Sequence, residues 1–232
     1  MTCWIRIEVP EPELLRTRMR SLAALDTILC DEDWLRVHRY EHAWMPDLDL
    51  GVIENGAGDH LYVLFAETGV LIKGFDHESP LSPHAREDGE VWPGMYEEVP
   101  ETLYSHLRDH QEELQVEDVT CCLWRLKGDT NWHCGEWAGI HTVDERERDG
   151  GASYLLGYLH GSPQDYKEWA EDYFDQSEPL SLDIVSEMYN AIQVETRWIT
   201  ALNPNRQVQE VVDDLMQMGM VVRQTASSDR RE

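Results

Sequence analysis

The sequence predicts an α+β fold, in which an antiparallel β-meander sheet packs against an N-terminal helix and a C-terminal helical subdomain. Three observations predict this fold class. Apolar residues recur at three- and four-residue steps over 12–29, the period changes to two between 35 and 75, and helix-start signals dominate after residue 160. A hydrophobic fraction of 41% with nine tryptophans indicates a folded chain rather than a disordered acidic one.

The first predicted element is a helix over residues 12–29. Pro10 and Pro12 precede or open it, and proline suits the first turn because its missing N–H would be unsatisfied there in any case. The apolar residues of this stretch are Leu14, Leu15, Met19, Leu22, Leu25, Ile28 and Leu29. Their spacing places them on one side, so we expect an amphipathic helix that packs on the sheet.

Strands are predicted between residues 35 and 75. Positions 37–44 alternate as the two faces of a strand do. Segments 50–54 and 61–66 flank an Asn-Gly pair, which readily takes positive φ and closes a hairpin. Segment 70–75 then returns along the hairpin. We therefore predict a meander whose middle strand is buried on both faces.

A long irregular segment spans residues 76–100 and holds four of the ten prolines. Connections of this length are uncommon inside a compact domain and commonly carry function. We predict a short helix over 101–110 and a strand over 119–126. Residues 154–159 fit either a strand or a buried helix, and the glycines that flank them favour a strand.

The final third of the chain is predicted to be helical. An N-cap at Ser162, followed by proline, opens a helix to about residue 174. We predict a longer helix over 181–202 and a last helix that begins near Val208 and ends at Gly219.

We divide the chain into three parts on this basis. The sheet, the N-terminal helix and the proline-rich loop occupy residues 1–160, and a C-terminal helical subdomain of the same domain occupies 161–222. Residues 223–232 are expected to form a flexible, solvated tail.

The charge of the chain excludes two classes of partner. Lys and Arg number 19 against 46 Asp and Glu, so the formal net charge is −27. Such a surface repels nucleic-acid phosphates and anionic membranes alike. Residues 31–120 carry −17 of this charge, so the acidity is concentrated in the meander and the proline-rich loop.

Cysteine usage and hydropathy predict a compartment. The five cysteines lack the spacing of a disulfide framework, and the N-terminus lacks the pattern of a signal peptide. The longest uncharged apolar run is far shorter than the roughly 20 residues that a membrane-spanning helix needs. We expect a cytoplasmic protein with no membrane partner, no cofactor and no resident metal.

Several short motifs resemble those of a family of uncharacterised bacterial proteins. The residues that carry the resemblance are Gly74-Phe75-Asp76-His77-Glu78-Ser79-Pro80-Leu81-Ser82-Pro83, Trp92-Pro93-Gly94, Cys122-Leu123-Trp124-Arg125, 166–173 and Leu202-Asn203-Pro204. The resemblance covers roughly residues 60–222, and its most distinctive part is the loop motif at 74–83. It implies a bacterial, cytosolic protein and, because that family has no assigned activity, it implies no function.

Residues 38–42 match H-x-x-E-H, the inverted zincin motif. In that motif a helix places both imidazoles on one face to hold zinc, and the glutamate activates a bound water. Here the alternation predicts a strand, on which residues four apart lie about 13 Å apart, too far for one zinc ion. We therefore interpret His38 and His42 as part of a half-exposed sheet face.

The strongest catalytic candidates lie on the proline-rich loop directly after a strand. They are Asp76, His77, Glu78 and His84. Histidine beside carboxylates can act as a general base or as a metal ligand. The same residues are also ordinary capping and turn residues. The sequence contains no nucleophile elbow, P-loop or Rossmann fingerprint that would name a reaction.

A third cluster lies between Trp132 and Trp137, where His133 and Cys134 are adjacent. A cysteine beside a histidine can supply a thiolate nucleophile or a soft-metal ligand. Paired ligands at zinc-site spacing are absent, because Cys121 and Cys122 point to opposite faces of one strand. We therefore interpret this cluster as a hairpin flanked by tryptophans.

The functional hypothesis that we favour is a binding or inhibitory protein, similar in kind to an immunity protein, which docks a basic protein partner through an acidic, aromatic face. The alternative is a hydrolase, metal-dependent or not, that uses Asp76, His77 and His84. The predicted partner-binding residues are Asp76, Glu78, Glu87, Asp88, Glu90, Trp92, Tyr96, Glu97 and Glu98.

Overall fold

The structure is a computed structural model that describes residues 8–224. Its centre is a six-stranded antiparallel sheet in which the strands follow one another in chain order, as in a meander. An N-terminal helix packs on this sheet, and most of the chain after residue 150 is helical. The α+β class and the antiparallel meander that the sequence predicts are confirmed.

The bounds of the elements follow the chain. The helices are α1 (Pro12–Leu29), α2 (Glu101–Asp109), α3 (Ala152–Gly157), α4 (Pro163–Tyr173), α5 (Leu182–Met188), α6 (Thr196–Leu202) and α7 (Val208–Gln217). The strands are β1 (His38–Met45), β2 (Leu48–Glu54), β3 (His60–Ala66), β4 (Gly69–Phe75), β5 (Cys121–Leu126), β6 (His133–Cys134), β7 (Gln193–Glu195) and β8 (Val221–Arg223).

Helix α1 covers one face of the sheet, and the side chain of Met19 lies over Gly51 of that face. Leu15, Met19 and Leu22 are buried on the sheet side of the helix. A Cβ on Gly51 of β2 would lie 2.6 Å from the sulfur of Met19, so a larger residue there would displace the end of the Met19 side chain. Leu155 of α3 contacts the same face further along the sheet.

The opposite face of the sheet lies beneath the segment 76–118. Gln115 donates a hydrogen bond of 2.7 Å to the hydroxyl of Tyr62, and the ring of His84 packs edge-on against Phe75. Tyr62 and Phe75 belong to the face that α1 does not cover. The predicted middle strand β3 is buried along its length except at Ala66, because it has a layer on each side.

The proline-rich segment holds no α-helix or strand between residues 76 and 100. Its Trp92-Pro93-Gly94 turn is bound to residues 136–138. The indole N–H of Trp92 donates to the carbonyl of Ala138 at 3.0 Å, and the amide of Ala138 donates back to Pro93 at 2.9 Å. Gly94 has a positive φ of 92°, and a side chain there would collide with the Glu136 carbonyl. Glycine is therefore required at this turn.

The predicted strand over 154–159 is wrong, because these residues belong largely to helix α3. Gly151 begins the helix with a positive φ of 80°. Leu155 and Leu156 are buried, and Tyr154 and Tyr158 meet at helical spacing with their hydroxyls 3.3 Å apart. A short apolar run is compatible with either a strand or a buried helix. Here the glycine before the run, Gly151, is the N-cap of a helix.

The predicted single helix over 181–202 is also wrong. Helix α5 ends at Met188, and β7 separates it from α6. Strand β7 pairs in parallel with β8, and Val194 is fully buried in that pair. The break is held by α1, because Ser21 donates to the Ala191 carbonyl at 2.8 Å. Tertiary contacts here override the local helical pattern.

The predicted flexible tail begins at residue 223, which the structure places in strand β8. The rest of that prediction falls on residue 224 and on residues 225–232, which lie outside the described part of the chain. No helix between residues 8 and 224 has both the length and the hydropathy that crossing a bilayer requires.

Candidate functional site

A groove on the outer side of segment 76–118 gathers aromatic rings and carboxylates. We call it the aromatic groove, and its volume is about 510 Å³. Its lining residues are Val91, Trp92, Tyr96, Glu97, Val99, Glu101, Tyr104, Val116 and Glu117. The proline-rich segment supplies one wall, and α2 and the turn after it supply the other.

Hydrogen bonds and ring packing hold the aromatic side chains in place. The hydroxyl of Tyr96 donates to the Val116 carbonyl at 2.9 Å, and its ring centroid lies 5.6 Å from that of Tyr104. Glu101 and Tyr104 are three residues apart on α2 and so share one side of the helix. The groove walls are therefore preformed.

The rim of the groove is acidic. Glu97, Glu101 and Glu117 are exposed, and Glu101 alone of the three has an ion pair among the described residues, with Arg108 at 2.8 Å. The guanidinium of Arg86 lies 5.2 Å from the centroid of the Trp92 ring. One cation–aromatic contact thus already exists beside the groove.

The predicted partner-binding residues divide into four groups. Trp92, Tyr96 and Glu97 line the aromatic groove. Asp88 holds Arg86 through two hydrogen bonds, of 2.6 and 2.9 Å, next to Trp92. Glu87, Glu90 and Glu98 are exposed on the same segment but do not line the groove, and Asp76 and Glu78 belong to a different cluster.

That second cluster combines Asp76 and His77 with Asp59, which we did not predict. The Nδ1 atom of His77 lies 2.6 Å from Oδ1 of Asp59, which also accepts a hydrogen bond from the His77 amide at 2.9 Å. Asn55 donates to the other oxygen of Asp59 at 2.7 Å. Asp59 is buried and the His77 side chain is 42% exposed, so an inner carboxylate orients an outer imidazole.

The electrostatics of this cluster follow from these contacts. Burial opposes the ionisation of Asp59, but the hydrogen bonds from His77 and Asn55 outweigh it and lower the pKa of Asp59. The hydrogen bond to Asp59 raises the pKa of His77, whereas burial raises the pKa of Asp76. In this cluster the protonated form of the His77 imidazole is therefore stabilised by Asp59, while burial favours the neutral form of the Asp76 carboxyl group.

His84 does not join the other predicted catalytic residues. Its Nε2 atom lies 2.8 Å from Asp118, and its ring packs on Phe75. Glu78 does approach His77, with 3.2 Å between Oε1 and Nε2. The predicted set of four is thus divided between two places on the segment.

The Asp59 cluster has some of the geometry of a metal site. One ligand atom from each of Asp59, Asp76 and His77 can be chosen so that all lie within 4.8 Å of one another. Histidine and carboxylate donors suit zinc and other divalent transition metals. Three ligands of this kind fit a cation, but the hydrogen bonds between Asp59 and His77 satisfy the same atoms without one.

The H-x-x-E-H residues lie on strand β1, as predicted, and their histidines have separate partners. His38 pairs with Asp26 at 3.0 Å, and His42 pairs with Asp49 at 2.9 Å. The predicted half-exposed face is correct for His42 but wrong for His38, which is only 2% exposed. Helix α1 and the helices after it bury that side chain.

His133 and Cys134 form the short strand β6, paired with β5. Cys134 is buried, and the ring of His133 stacks on Trp124 while its Nε2 atom lies 3.3 Å from Asp129. The predicted hairpin is present, and the imidazole is turned toward Asp129.

Several residues of both clusters escaped prediction. Asp59 meets His77 only through the fold of the hairpin, because 18 positions separate them. Tyr104 and Glu117 reach Tyr96 through packing of α2 on the sheet. The sequence offered one local signal for them. Glu101 and Tyr104 are three residues apart on a predicted helix, a spacing that places both side chains on the same side of it.

Comparison with protein-family models, with curated proteins and with solved structures finds no match to this chain. The motif resemblance therefore assigns no activity to the protein.

Proposed function

We propose that this chain is a cytoplasmic bacterial binding protein that docks a basic protein partner through the aromatic groove, in the manner of an immunity protein. The observation that carries the proposal is the groove itself, in which Trp92, Tyr96 and Tyr104 are bordered by exposed carboxylates. Aromatic anchors in a preformed pocket supply much of the binding energy of protein interfaces.

Charge favours a basic partner over a neutral one. The segment 76–118 carries thirteen acidic residues and two arginines. A field of this sign speeds the association of a cationic protein and repels an anionic one. Because Arg86 already lies over Trp92, the ring is suited to a guanidinium from a partner as well.

A charge-reversal experiment tests this proposal. The wild-type protein, a Glu117→Lys variant and an Asp172→Lys variant are immobilised and exposed to lysate of the encoding bacterium. Both residues are exposed, so the variants differ only in where the charge is reversed. We expect the wild type and Asp172→Lys to retain one basic protein, which elutes when salt is added. The amount retained by Glu117→Lys should be lower by at least about fivefold.

Recovery of no basic protein, or equal retention on both variants, contradicts the proposal. A Tyr104→Ala variant adds a test that is independent of charge, because truncating an interface anchor costs about 2 kcal/mol or more.

The Asp59–His77 pair favours a second candidate function, hydrolysis with His77 as the acid–base group. A buried carboxylate that orients an exposed imidazole is a recurring feature of such sites. We expect a His77→Gln variant to lose activity toward ester or phosphoester substrates and the His84→Gln control to keep it, since His84 is bound to Asp118 instead. Metal analysis of untagged protein tests the metal-dependent version, which fails if no transition metal is bound.

A further inference from the structure

The sheet has an open edge at β1. Within residues 8–224, β1 pairs with β2 alone. A groove of about 470 Å³ lies between β1 and α7, on the side away from β2. We call it the edge groove, and it is separate from the aromatic groove.

Part of the β1 backbone points into the edge groove. The Glu54 amide donates to the Val37 carbonyl, and pairs in an antiparallel ladder alternate between bonded and non-bonded. Arg39 and Glu41 therefore bond to β2, while His38 and Tyr40 direct their backbone groups away from it. The His38 amide donates outward to Asp26 at 2.9 Å, which confirms this direction.

The floor of the edge groove contains a polar atom without a partner. Thr27, in the last turn of α1, is fully buried, and its Oγ1 atom has no hydrogen-bond partner in the described chain. A buried hydroxyl that is left unpaired costs free energy, so an acceptor or donor that reached Thr27 would stabilise the protein.

The charge of the groove is negative once internal ion pairs are counted. Arg36 is paired with Asp33 at 2.6 Å, and Arg39 is paired with Glu54. Glu41 and Asp214 also line the groove and have no ion pair among the described residues. The uncompensated charge of the groove is therefore acidic.

An exposed tryptophan, Trp34, directly follows Asp33, which lines the edge groove. Trp34 is 75% exposed, the highest value among the large apolar side chains described. Its indole N–H donates to Glu32 at 2.9 Å, which holds the ring beside carboxylates. A ring presented in this way suits contact with a cationic side chain.

We propose that the edge groove binds an extended, basic segment of a partner protein, which adds to the sheet as a strand beside β1. Main-chain hydrogen bonds to the outward groups of Tyr40 would hold the segment, as in other cases of strand addition. Glu41 and Asp214 would bind its Lys or Arg side chains, with Trp34 as an anchor at one end.

The test uses a labelled peptide of alternating Lys and Val, and the same peptide N-methylated at alternate residues so that it cannot pair. Binding is followed by fluorescence anisotropy, and the hydrogen exchange of the Tyr40 amide by NMR. The protein variants are Glu41→Lys with Asp214→Lys, and a matched control, Asp172→Lys with Glu178→Lys. Glu41, Asp172 and Glu178 are exposed and Asp214 is partly exposed, so we expect all of these variants to fold.

We expect the unmodified peptide to bind and to slow exchange of the Tyr40 amide. N-methylation and the Glu41/Asp214 variant should each weaken binding at least about tenfold, while the control variant stays close to wild type. Equal affinity for the methylated peptide, unchanged exchange at Tyr40, or no binding overturns the proposal. A Glu117→Lys variant should bind the peptide normally, so failure here is distinct from failure of the aromatic groove.

Discussion

Lys73 of β4 is fully buried and faces a histidine rather than a carboxylate. Its Nζ atom lies 2.7 Å from Nε2 of His60 and 5.1 Å from the centroid of the Tyr62 ring. Burial lowers the pKa of Lys73 to about 7 and the pKa of His60 to about 4. His60 is therefore neutral at physiological pH and accepts the hydrogen bond from the amine.

A Lys73→Met variant is expected to be more stable than the wild type at pH 6–7, by about 2 kcal/mol. A lysine whose pKa falls on folding destabilises the folded state most below its folded pKa, and that cost declines as pH rises toward 10.5. The advantage of the variant should therefore shrink between pH 7 and 8.5. Urea unfolding at several pH values measures both effects.

The matched control is Lys127→Met, because Lys127 is exposed. Its stability should follow that of the wild type at every pH. A Lys73→Met variant that is less stable than the wild type at pH 6 contradicts the burial argument.

Asp26 connects three elements in the interior of the molecule. This fully buried carboxylate of α1 accepts hydrogen bonds from the amide and ring of His38 on β1, and from Tyr166 of α4 at 2.9 Å. The other ring nitrogen of His38 lies 2.8 Å from the Tyr158 carbonyl. Both ring nitrogens of His38 therefore lie at hydrogen-bonding distance from oxygen atoms, and Asp26 holds β1 and α4 against α1.

An Asp26→Asn variant is expected to lose about 2 kcal/mol or more of folding free energy, because an amide nitrogen would replace one of the two buried acceptor oxygens and leave a buried donor unpaired. Urea denaturation at pH 7 measures the loss. Asp31→Asn serves as the control, since Asp31 is exposed and should change the free energy of unfolding by less than about 0.5 kcal/mol. A loss below about 1 kcal/mol for Asp26→Asn would exclude the Asp26 carboxylate as a main connection between these elements.

Elements with strong local signals were predicted well. The period of α1, the Asn-Gly hairpin and the Ser162 N-cap, whose hydroxyl accepts from the Asp165 amide at 3.1 Å, all act within a few residues. Elements decided by distant partners were not. Strand β7 exists because β8 pairs with it, and no local pattern shows this.

The acidity of the whole molecule has a thermodynamic consequence. With 46 acidic and 19 basic residues, the carboxylates outnumber the cationic side chains by more than two to one, so repulsion among carboxylates dominates. Net charge of this size destabilises a compact state through self-repulsion, and salt screens that repulsion.

We therefore expect the urea midpoint of unfolding to rise when NaCl is raised from about 0.02 M to about 0.3 M at pH 7. KCl should act equally, because the effect depends on ionic strength. A midpoint that falls with salt would show that specific ion pairs, such as Arg125 with Glu11, outweigh the net charge.

The sequence by itself determined the fold class, the meander, helix α1 and the concentration of acidity between residues 31 and 120, because periodicity, turn residues and charge are local properties. It also placed Asp76 and His77 on an irregular loop. Only the tertiary structure decided that Asp59 joins His77, that His84 turns to Asp118, and that α2 completes the aromatic groove. These contacts join residues far apart in the chain, and packing of the layers on the sheet, rather than any local preference, brings them together.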